Sequence, residues 1–177
     1  VEGLNRLIED LRVLSLKDSG HLEIQRTSVR LADELSTVLQ AFAAPLTAKG
    51  FHLHNQLDAN LRVECDALRI RQALMALLEN ALRYSDGDID ISTGFERNRK
   101  RVYLQIRDHG PGIPEHQMKA MFEPFTQGDI ARGSGGSGLG LAIIKKIVDM
   151  HHGQISMHNH AYGGLVVTVY LPLTKTA

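Results

Sequence analysis

Residues Gly133-Ser-Gly-Gly-Ser-Gly-Leu-Gly-Leu-Ala-Ile143 join a glycine-rich loop to the first turn of an apolar helical pattern. Free backbone N–H groups and the positive end of a helix suit a phosphate group at such a junction. Gly133, Gly135 and Gly138 match the spacing of a dinucleotide fingerprint, but residues 123–132 before them lack the alternation of a strand. No Gly-Lys-Ser/Thr closes a P-loop. The stretch therefore predicts a phosphate-binding loop, and both of these familiar interpretations of it are weak.

The segment from Asp66 to Tyr84 has the apolar periodicity of one long helix, with Asp66 placed to cap its N-terminus. On a helical wheel Asn80 lies at the border of the apolar face, and Arg83 follows about one turn later. The amide oxygen of Asn80 can ligate a hard cation such as Mg²⁺, and the guanidinium of Arg83 can contact a phosphate. The alternative is that Asn80 is a hydrogen-bonded core amide and Arg83 a solvated cation. The helix alone leaves both open.

The sequence Asp108-His-Gly-Pro-Gly-Ile113 directly follows a predicted strand. A carboxylate at the end of a strand can accept a hydrogen bond from an exocyclic amine, and Gly110 and Gly112 let the backbone approach a ligand. An aspartate in a turn rich in glycine and proline is also typical of a turn former. The motif by itself leaves the choice between a binding role and a turn role open.

Composition excludes several classes of protein. Twenty Lys and Arg balance twenty Asp and Glu in the 177 residues, so no overall field attracts nucleic acid or an acidic membrane surface. The single Cys65 excludes an internal disulfide framework and a zinc site built from several cysteines. No apolar run of about 18 residues is present. We expect one main soluble domain that belongs to a longer protein and does not bind nucleic acid.

Hydrophobic periodicity predicts helices and strands in alternation, with antiparallel hairpins among them. The predicted strands are 22–24, 51–57, 61–65, 88–95, 102–108, 154–158 and 165–171. The predicted helices are 29–49, 66–84, 114–122 and 139–152. This order predicts a two-layer α/β sandwich, with helices on one face of a mixed sheet. The segment from Gln127 to Ser137 has only Ile130 as a large apolar side chain, and we expect it to form a mobile lid.

The first residues carry an apolar seam of coiled-coil type, formed by Leu4, Leu7, Leu11 and Leu14. The pattern stops at Asp18-Ser-Gly20. Two interpretations remain for this seam, namely an amphipathic helix that packs on its own domain and the end of a dimerisation helix. Its place at the start of the chain favours the dimerisation helix.

Four motifs in this order resemble the nucleotide-binding boxes of the histidine kinase branch of the gyrase, Hsp90, kinase and MutL ATPases. Leu77-Leu-Glu-Asn-Ala-Leu-Arg-Tyr-Ser85 is similar to the N box, and Asp108-x-Gly110-x-Gly112 is similar to the G1 box. Phe122-Glu-Pro-Phe125 is similar to the F box, and Gly136-Ser-Gly-Leu-Gly-Leu-Ala-Ile143 is similar to the G2 box. The resemblance covers about 22–172 and implies the Bergerat sandwich of this superfamily, also called GHKL.

The resemblance implies a role for each matching position. Asn80 would hold Mg²⁺, Arg83 would take the place of a phosphate-contacting lysine, and Tyr84 would flank the adenine. Asp108 would bind the adenine amine. The other nucleotide-binding positions would be Gly110, Gly112 and Ile113 at the base pocket, Phe122 and Phe125 as lid anchors, Arg132 at the γ-phosphate, and Gly136, Ser137, Gly138, Leu139 and Gly140 in the phosphate loop. Asn80, Arg83 and Arg132 would be the catalytic residues.

Two positions depart from the usual pattern of the family. Arg83 replaces the commoner lysine, which retains the charge and changes its geometry. Ala76 stands where many kinases of the family have a second asparagine and the ATPase relatives have a general-base glutamate, which weakens a hydrolase interpretation. The resemblance therefore implies a protein-histidine kinase module that uses ATP and Mg²⁺. A non-catalytic nucleotide-sensing module is the alternative, and a clamp ATPase of the gyrase or MutL type is disfavoured.

The resemblance also implies a wider protein. We expect residues 1–20 to be the end of a dimerisation and phosphotransfer hairpin and residues 21–177 to be the catalytic domain. None of the nine histidines is followed by an acidic residue and a nearby proline, so the phosphoacceptor is expected upstream. The expected partners are that hairpin, a response regulator and a second copy in a homodimer. We expect a cytoplasmic domain of a protein anchored in the inner membrane.

Overall fold

Two sheets organise the part of the chain that the computed structural model describes, which comprises residues 8, 11–15, 24–96, 100–127 and 137–173. The strands are β1 (Thr27–Arg30), β2 (Leu53–Gln56), β3 (Arg62–Cys65), β4 (Ile89–Phe95), β5 (Arg101–Arg107), β6 (Gln154–Asn159) and β7 (Leu165–Pro172). The larger sheet has the order β2-β4-β5-β7-β6, and β1 pairs with β3 in a separate sheet. Within the larger sheet β2 and β4 are parallel and the other neighbours are antiparallel, which confirms a mixed sheet.

The helices begin and end where the sequence supplies caps. They are α1 (Leu31–Lys49), α2 (Ala67–Tyr84), α3 (Glu115–Met118) and α4 (Gly140–Met150), with a 3₁₀ turn at Ala120–Phe122. Asp66 caps α2, because its side chain accepts a hydrogen bond from the backbone N–H of Arg69 at 3.1 Å. Gly50 ends α1 with a φ of 69°, in the left-handed region that favours glycine. Both predicted caps are confirmed.

The core lies between one face of the larger sheet and the helices α1, α2 and α4. Alternate residues of the central strands are buried on that face, namely Ile89, Ile91, Val102, Leu104, Ile106, Val167, Val169 and Leu171. Two helices contribute large apolar side chains to this core. They are Ile70, Leu74, Leu77 and Leu78 on α2 and Ile143, Ile144, Ile147 and Val148 on α4. The buried residues of the strands and of the helices therefore pack in one apolar layer, which confirms the predicted two-layer sandwich.

The first described strand, β1, overlaps the start of a predicted helix. β1 spans Thr27–Arg30, so the helix predicted from residue 29 begins only at Leu31. Of the strand predicted at 22–24, residues 22 and 23 lie outside the described residues, and Ile24 is not part of a strand. Val29 lies opposite Val63 of β3, and both side chains are buried, whereas Ile24 is only partly buried and has no strand partner. The strand forms where its apolar side chain meets one on β3, and this distant partner is not visible in the local pattern.

The described part of the opening segment is helical at Ile8 and at residues 11–15. Val13 is fully buried in the domain core, whereas Ile8 and Leu11 keep 55% and 41% of their surface exposed. This stretch therefore packs on the domain through Val13, which is outside the predicted seam, and through the partly buried Leu14, which belongs to it. Leu4 and Leu7 of that seam lie outside the described residues. None of the helices in the described ranges has both the length and the apolar character of a membrane span.

A hydrogen-bonded junction joins the start of α2 to the end of α4. The backbone N–H of Asp66 donates to Nε2 of His151 at 3.0 Å, and Nδ1 of His151 bonds to the carbonyl oxygen of Ile147 at 2.8 Å. Because Nε2 accepts and the carbonyl requires a donor, His151 is neutral with its proton on Nδ1. Burial lowers the pKa of His151, which favours the same neutral form. The chain entering the domain is held here too, since the N–H of Gln25 donates to Oδ2 of Asp66 at 3.2 Å.

We predict that His151 makes the stability of the domain depend on pH. The pKa of His151 in the folded chain lies below its ordinary value of 6.5, so the unfolded chain takes up this proton first as the pH falls. The contribution of the neutral imidazole to the free energy of unfolding is therefore complete above about pH 6.5 and decreases below it, by at most about 1.4 kcal/mol per pH unit.

Urea unfolding at several pH values between about 5 and 7.5 measures this dependence. His151→Gln removes the titrating group, so its free energy of unfolding should change less with pH than that of the wild type. Equal pH slopes in the two proteins would contradict the prediction.

Candidate functional site

Asp108 lies directly after β5 and is buried, with 6% of its surface exposed. Its Oδ1 accepts hydrogen bonds from the backbone N–H groups of Gly110 and Leu165, both at 3.0 Å. Burial raises the pKa of Asp108, and the two backbone donors act against that rise. No side chain of the described residues hydrogen-bonds to this carboxylate. Its other oxygen, Oδ2, therefore suits a ligand that donates a hydrogen bond.

The loop after Asp108 is pressed against the end of α2. A Cβ at Gly110 would overlap the carbonyl oxygen of Tyr84, so a side chain at this position would force the two segments apart. The hydroxyl of Ser85, which is buried, accepts a hydrogen bond from the backbone N–H of His109 at 2.9 Å. The single proton of the same hydroxyl can be donated to the carbonyl oxygen of Gly87 or of Asp88, which lie 2.9 and 3.2 Å away in the turn that follows α2. The loop and the C-terminal end of α2 therefore hold each other in place.

The far end of this loop is held by β6. The backbone N–H of Ile113 donates to Oδ1 of Asn159 at 2.9 Å, and Nδ2 of Asn159 donates to the carbonyl oxygen of Ile113 at 2.8 Å. At the near end, a Cβ at Gly164 would overlap the carbonyl oxygen of Asp108, so the turn between β6 and β7 lies directly against the loop. The β6–β7 hairpin therefore supports the loop as well.

Asn80 is half-buried on α2 and faces the N-terminus of α4. A Cβ added at Gly140 would lie 3.2 Å from Nδ2 and 3.4 Å from Oδ1 of Asn80. Leu139, which precedes Gly140, is fully buried. Its carbonyl oxygen accepts the first helical hydrogen bond of α4, from the backbone N–H of Ile143 at 2.9 Å. The glycine therefore keeps the Asn80 amide beside the N–H groups that begin α4, where a helix attracts anions.

The described margins of the glycine-rich segment contact each other. Gly138 has a φ of 69°, and a Cβ there would lie 2.8 Å from the carbonyl carbon of Phe125. Phe125 leaves 68% of its surface exposed, so its backbone and not its ring makes this contact. Phe122 is half-buried, whereas Met121 beside it is buried. The apolar anchor of this margin is therefore Met121, which lies just outside the predicted motif.

The structure brings the four predicted motifs together around α2 and the start of α4. The Asp108 loop contacts the end of α2 at Gly110, and Asn80 contacts the start of α4 at Gly140. Arg83 is exposed and Tyr84 half-buried at the end of α2. The predicted positions Arg132 and Gly136, with most of the predicted lid, lie in 128–136, outside the described residues, and Ser137 is exposed. The nucleotide-binding role of all these residues stays a prediction.

Three residues that shape the site had no predicted role. They are Ser85, Asn159 and Gly164. The pair Gly163-Gly164 is a turn signal between two strands and could have pointed to the hairpin. Nothing in the local sequence marks Asn159, because its partner Ile113 is 46 residues away.

The surroundings of Asn80 fit a hard divalent cation that also binds phosphate. An amide oxygen is a ligand type that Mg²⁺ accepts, and Mg²⁺ takes few protein ligands when phosphates and water supply the others. Within the described ranges, no group of three histidine, cysteine, aspartate or glutamate side chains is placed to hold a metal ion. A cation beside Asn80 would therefore depend on a bound phosphate compound.

A protein-family model described as "Histidine kinase-, DNA gyrase B-, and HSP90-like ATPase" matches residues 65–175. The signal transduction histidine-protein kinase BaeS of Escherichia coli (strain K12) is 39% identical over 176 residues, which cover 97% of this chain. The chain spans only 37% of the length of BaeS. The sensor histidine kinase component HK1 of Mycobacterium tuberculosis is 36% identical over 141 residues, which cover 80% of this chain and 83% of that protein.

Solved structures have the same fold. The histidine kinase AdeS of Acinetobacter baumannii superposes with a TM-score of 0.82 and 30% identity, over 98% of this chain and 80% of that chain. The catalytic domain of the histidine kinase ThkA superposes with a TM-score of 0.75 and 29% identity, over 84% of this chain and 95% of that chain. The site described above lies within residues 65–175, the range that the family model matches.

We predict that Ser85→Ala loosens the loop after Asp108. The change removes the hydroxyl that accepts from His109 and donates to the next turn, and it leaves partly buried backbone groups unpaired. The free energy of unfolding should fall by about 1–3 kcal/mol, and hydrogen exchange at the amide of His109 should become faster.

Ser36→Ala is the matched control, because Ser36 is exposed on α1. It should change the free energy of unfolding by less than about 0.5 kcal/mol. Unchanged exchange at His109 in Ser85→Ala would show that the hydroxyl does not hold the loop.

Proposed function

The chain belongs to the family of histidine kinase-, DNA gyrase B- and HSP90-like ATPases, in the branch of the sensor histidine kinases, and we propose that it binds Mg²⁺-ATP and transfers the γ-phosphate to a histidine. It contains the ATP-binding catalytic domain of that branch. One observation carries the proposal. The loop that carries the buried Asp108 carboxylate lies against the end of α2, and the start of α4, where a helix attracts anions, lies against Asn80.

Asp108 would recognise the adenine base. Its Oδ1 is engaged by two backbone N–H groups, so Oδ2 is the oxygen left to accept a hydrogen bond from the exocyclic amine. The glycines of the loop and Ile113 would line the base pocket, with Tyr84 at its side. Guanine carries a carbonyl oxygen at the corresponding ring position, so this carboxylate would select adenine over guanine.

The start of α4 would bind the phosphates. Its free N–H groups and its positive end favour negative charge, and Gly138 and Gly140 leave no side chain in the way. Asn80 would hold Mg²⁺ through its amide oxygen, and the cation would neutralise phosphate charge when bound. Arg83 and Arg132 would contact the phosphates from α2 and from the lid, and Phe122 and Phe125 would lie where the lid begins. Gly136, Ser137 and Leu139 would complete the phosphate loop.

The proposed reaction is an in-line displacement at the γ-phosphorus. A bond forms from an imidazole nitrogen of the acceptor histidine to phosphorus while the bond from phosphorus to the leaving oxygen of ADP breaks. The chain would contribute positioning and charge neutralisation. Ala76, buried one turn before Asn80, offers no base that could activate water. Transfer to a histidine is therefore favoured over rapid hydrolysis.

The proposal extends to the wider protein. Residues 1–20 would be the end of the dimerisation and phosphotransfer hairpin, and 21–177 would be the catalytic domain that docks on it. The exposed Ile8 and Leu11 suit a helical partner at this end of the chain. The partners would be that hairpin, a second copy in a homodimer and a response regulator. The domain would lie in the cytoplasm, on a protein anchored in the inner membrane.

We predict that this chain labels a supplied phosphoacceptor hairpin from γ-labelled ATP and Mg²⁺. The hairpin should gain an acid-labile label, as expected of a phosphohistidine. Asn80→Ala removes the only metal ligand assigned on α2, so labelling should fall by at least about tenfold. Asn60→Ala, in the exposed turn between β2 and β3, is the control and should label normally.

Three other outcomes would contradict this prediction in different ways. ATP binding without any labelling would favour a nucleotide-sensing module. Fast release of free phosphate would favour a clamp ATPase. Unchanged labelling by Asn80→Ala would remove that residue from the cation site and leave the kinase activity intact.

We predict that Asp108→Asn weakens the recognition of adenine. The Oδ1 of the new amide can still accept hydrogen bonds from the N–H groups of Gly110 and Leu165. Its Nδ2, a donor, would then face the exocyclic amine of adenine, which is also a donor. The affinity for ATP should fall by about tenfold or more, and the preference for ATP over GTP should shrink. Calorimetry with both nucleotides measures this. Asp149→Asn, exposed on α4, is the control, and an unchanged preference in Asp108→Asn would exclude Asp108 as the base reader.

A further inference from the structure

At the end of β6, the side chain of Asn159 forms the pair of backbone hydrogen bonds that a neighbouring strand would form. It accepts from the backbone N–H of Ile113 at 2.9 Å and donates to the carbonyl oxygen of the same residue at 2.8 Å. A single side chain therefore satisfies both backbone groups of one loop residue, as a neighbouring strand would. This pair of bonds fixes the position and the orientation of the Ile113 peptide groups.

Gly112 is fitted to this contact. Its φ is 75°, in the region that favours glycine, and a Cβ added there would overlap Oδ1 of Asn159. Glycine at this position is therefore required for the approach of the asparagine, whether or not a ligand is bound. The two residues act together, because the absence of a side chain at Gly112 lets the side-chain amide of Asn159 reach Ile113.

Both ends of the loop are held by residues that face each other across two strands. The start of the loop is held by Leu165 of β7, whose backbone N–H donates to Oδ1 of Asp108 and whose carbonyl accepts from its N–H at 3.0 Å. The end of the loop is held by Asn159 of β6. Asn159 and Leu165 are directly opposite each other in the antiparallel register of the hairpin. The β6–β7 hairpin therefore sets the distance between the two ends of the loop.

From this geometry we infer that Asn159 is a positioning residue for base recognition, which keeps the loop from Asp108 to Ile113 in the shape that presents Asp108 to an adenine ring. The inference rests on the proposed role of Asp108. Asn159 acts through the loop and is not assigned a contact with the nucleotide. Its effect should therefore fall on the choice of base and not on the binding of phosphates.

Loss of these bonds should cost little stability. Both bonds are exposed, so water can replace Asn159 at the N–H and carbonyl groups of Ile113. The freed loop would instead have to be ordered when the base binds, and this ordering would reduce affinity. Asn159→Ala should therefore remain folded and still bind nucleotide more weakly.

The test compares the binding of Mg²⁺-ATP and Mg²⁺-GTP to the wild type, Asn159→Ala and Asn55→Ala by calorimetry. Asn55 is the matched control, because it is an exposed asparagine on β2, at the opposite edge of the same sheet. Asn159→Ala should bind ATP about tenfold more weakly, the scale expected for two modest hydrogen bonds, with GTP affinity little changed. Asn55→Ala should match the wild type for both nucleotides.

Each contrary outcome has one meaning. Equal weakening of ATP and GTP would overturn the inference in favour of a general structural role. Wild-type affinity and base preference in Asn159→Ala would also overturn it while leaving the proposed function intact. A wild type that binds neither nucleotide would instead refute the proposed function.

A second variant tests the pairing with Gly112. In the wild-type background, Gly112→Ala should weaken ATP binding through both the overlap with Asn159 and the strain at positive φ. In the Asn159→Ala background the overlap is gone, so the same change should weaken ATP binding by a smaller factor. Equal factors in the two backgrounds would show that Gly112 and Asn159 are independent and would overturn the inference.

Discussion

The packing of α2 against α4 on one face of the sheet is the constraint on which the candidate site depends. Asp66 at the start of the helix is bonded to His151 at the end of α4. Asn80, further along, lies against Gly140 at the start of α4, and the carbonyl of Tyr84 lies against Gly110. The two helices therefore run in opposite directions along each other. A shift of α2 along its axis would separate the amide, the helix start and the carboxylate loop together.

Two aspartates illustrate how environment separates a site from a surface. Asp88 is partly exposed on the surface, and hydrogen bonds from the backbone of His52 and the ring of His54 lower its pKa to about 2. Asp108 is buried, and burial raises its pKa although two backbone donors act against the rise. A carboxylate that is held by backbone donors and forms no salt bridge with the described residues retains capacity to bind a ligand. The first arrangement is typical of a hydrogen-bonded surface carboxylate and the second of a functional site.

The loop after Asp108 combines flexible residues with rigid supports. Its glycines permit close approach to Tyr84 on one side and to Asn159 on another. The supports come from an α-helix and a β-hairpin, both of which belong to the packed core. A loop built in this way can be accurate without being intrinsically stiff, because its shape is imposed by neighbours that cannot move independently. Binding loops on rigid scaffolds commonly share this division of labour.

Local sequence determined the elements whose signals lie close together in the chain. The Asp66 cap, the Gly50 helix end and the hairpin of β4 and β5 were all predictable, because capping, left-handed glycine and strand alternation act over a few residues. The order of the four motifs likewise predicted the fold and the candidate site residues.

Tertiary structure alone decided the position of β1, which forms where Val29 meets Val63, and the parallel pairing of β2 with β4. It also decided the roles of Ser85 and Asn159, whose partners lie 24 and 46 residues away. The physical reason is that a hydrogen bond or a buried contact between distant residues exists only after the chain has folded, and no local propensity encodes it.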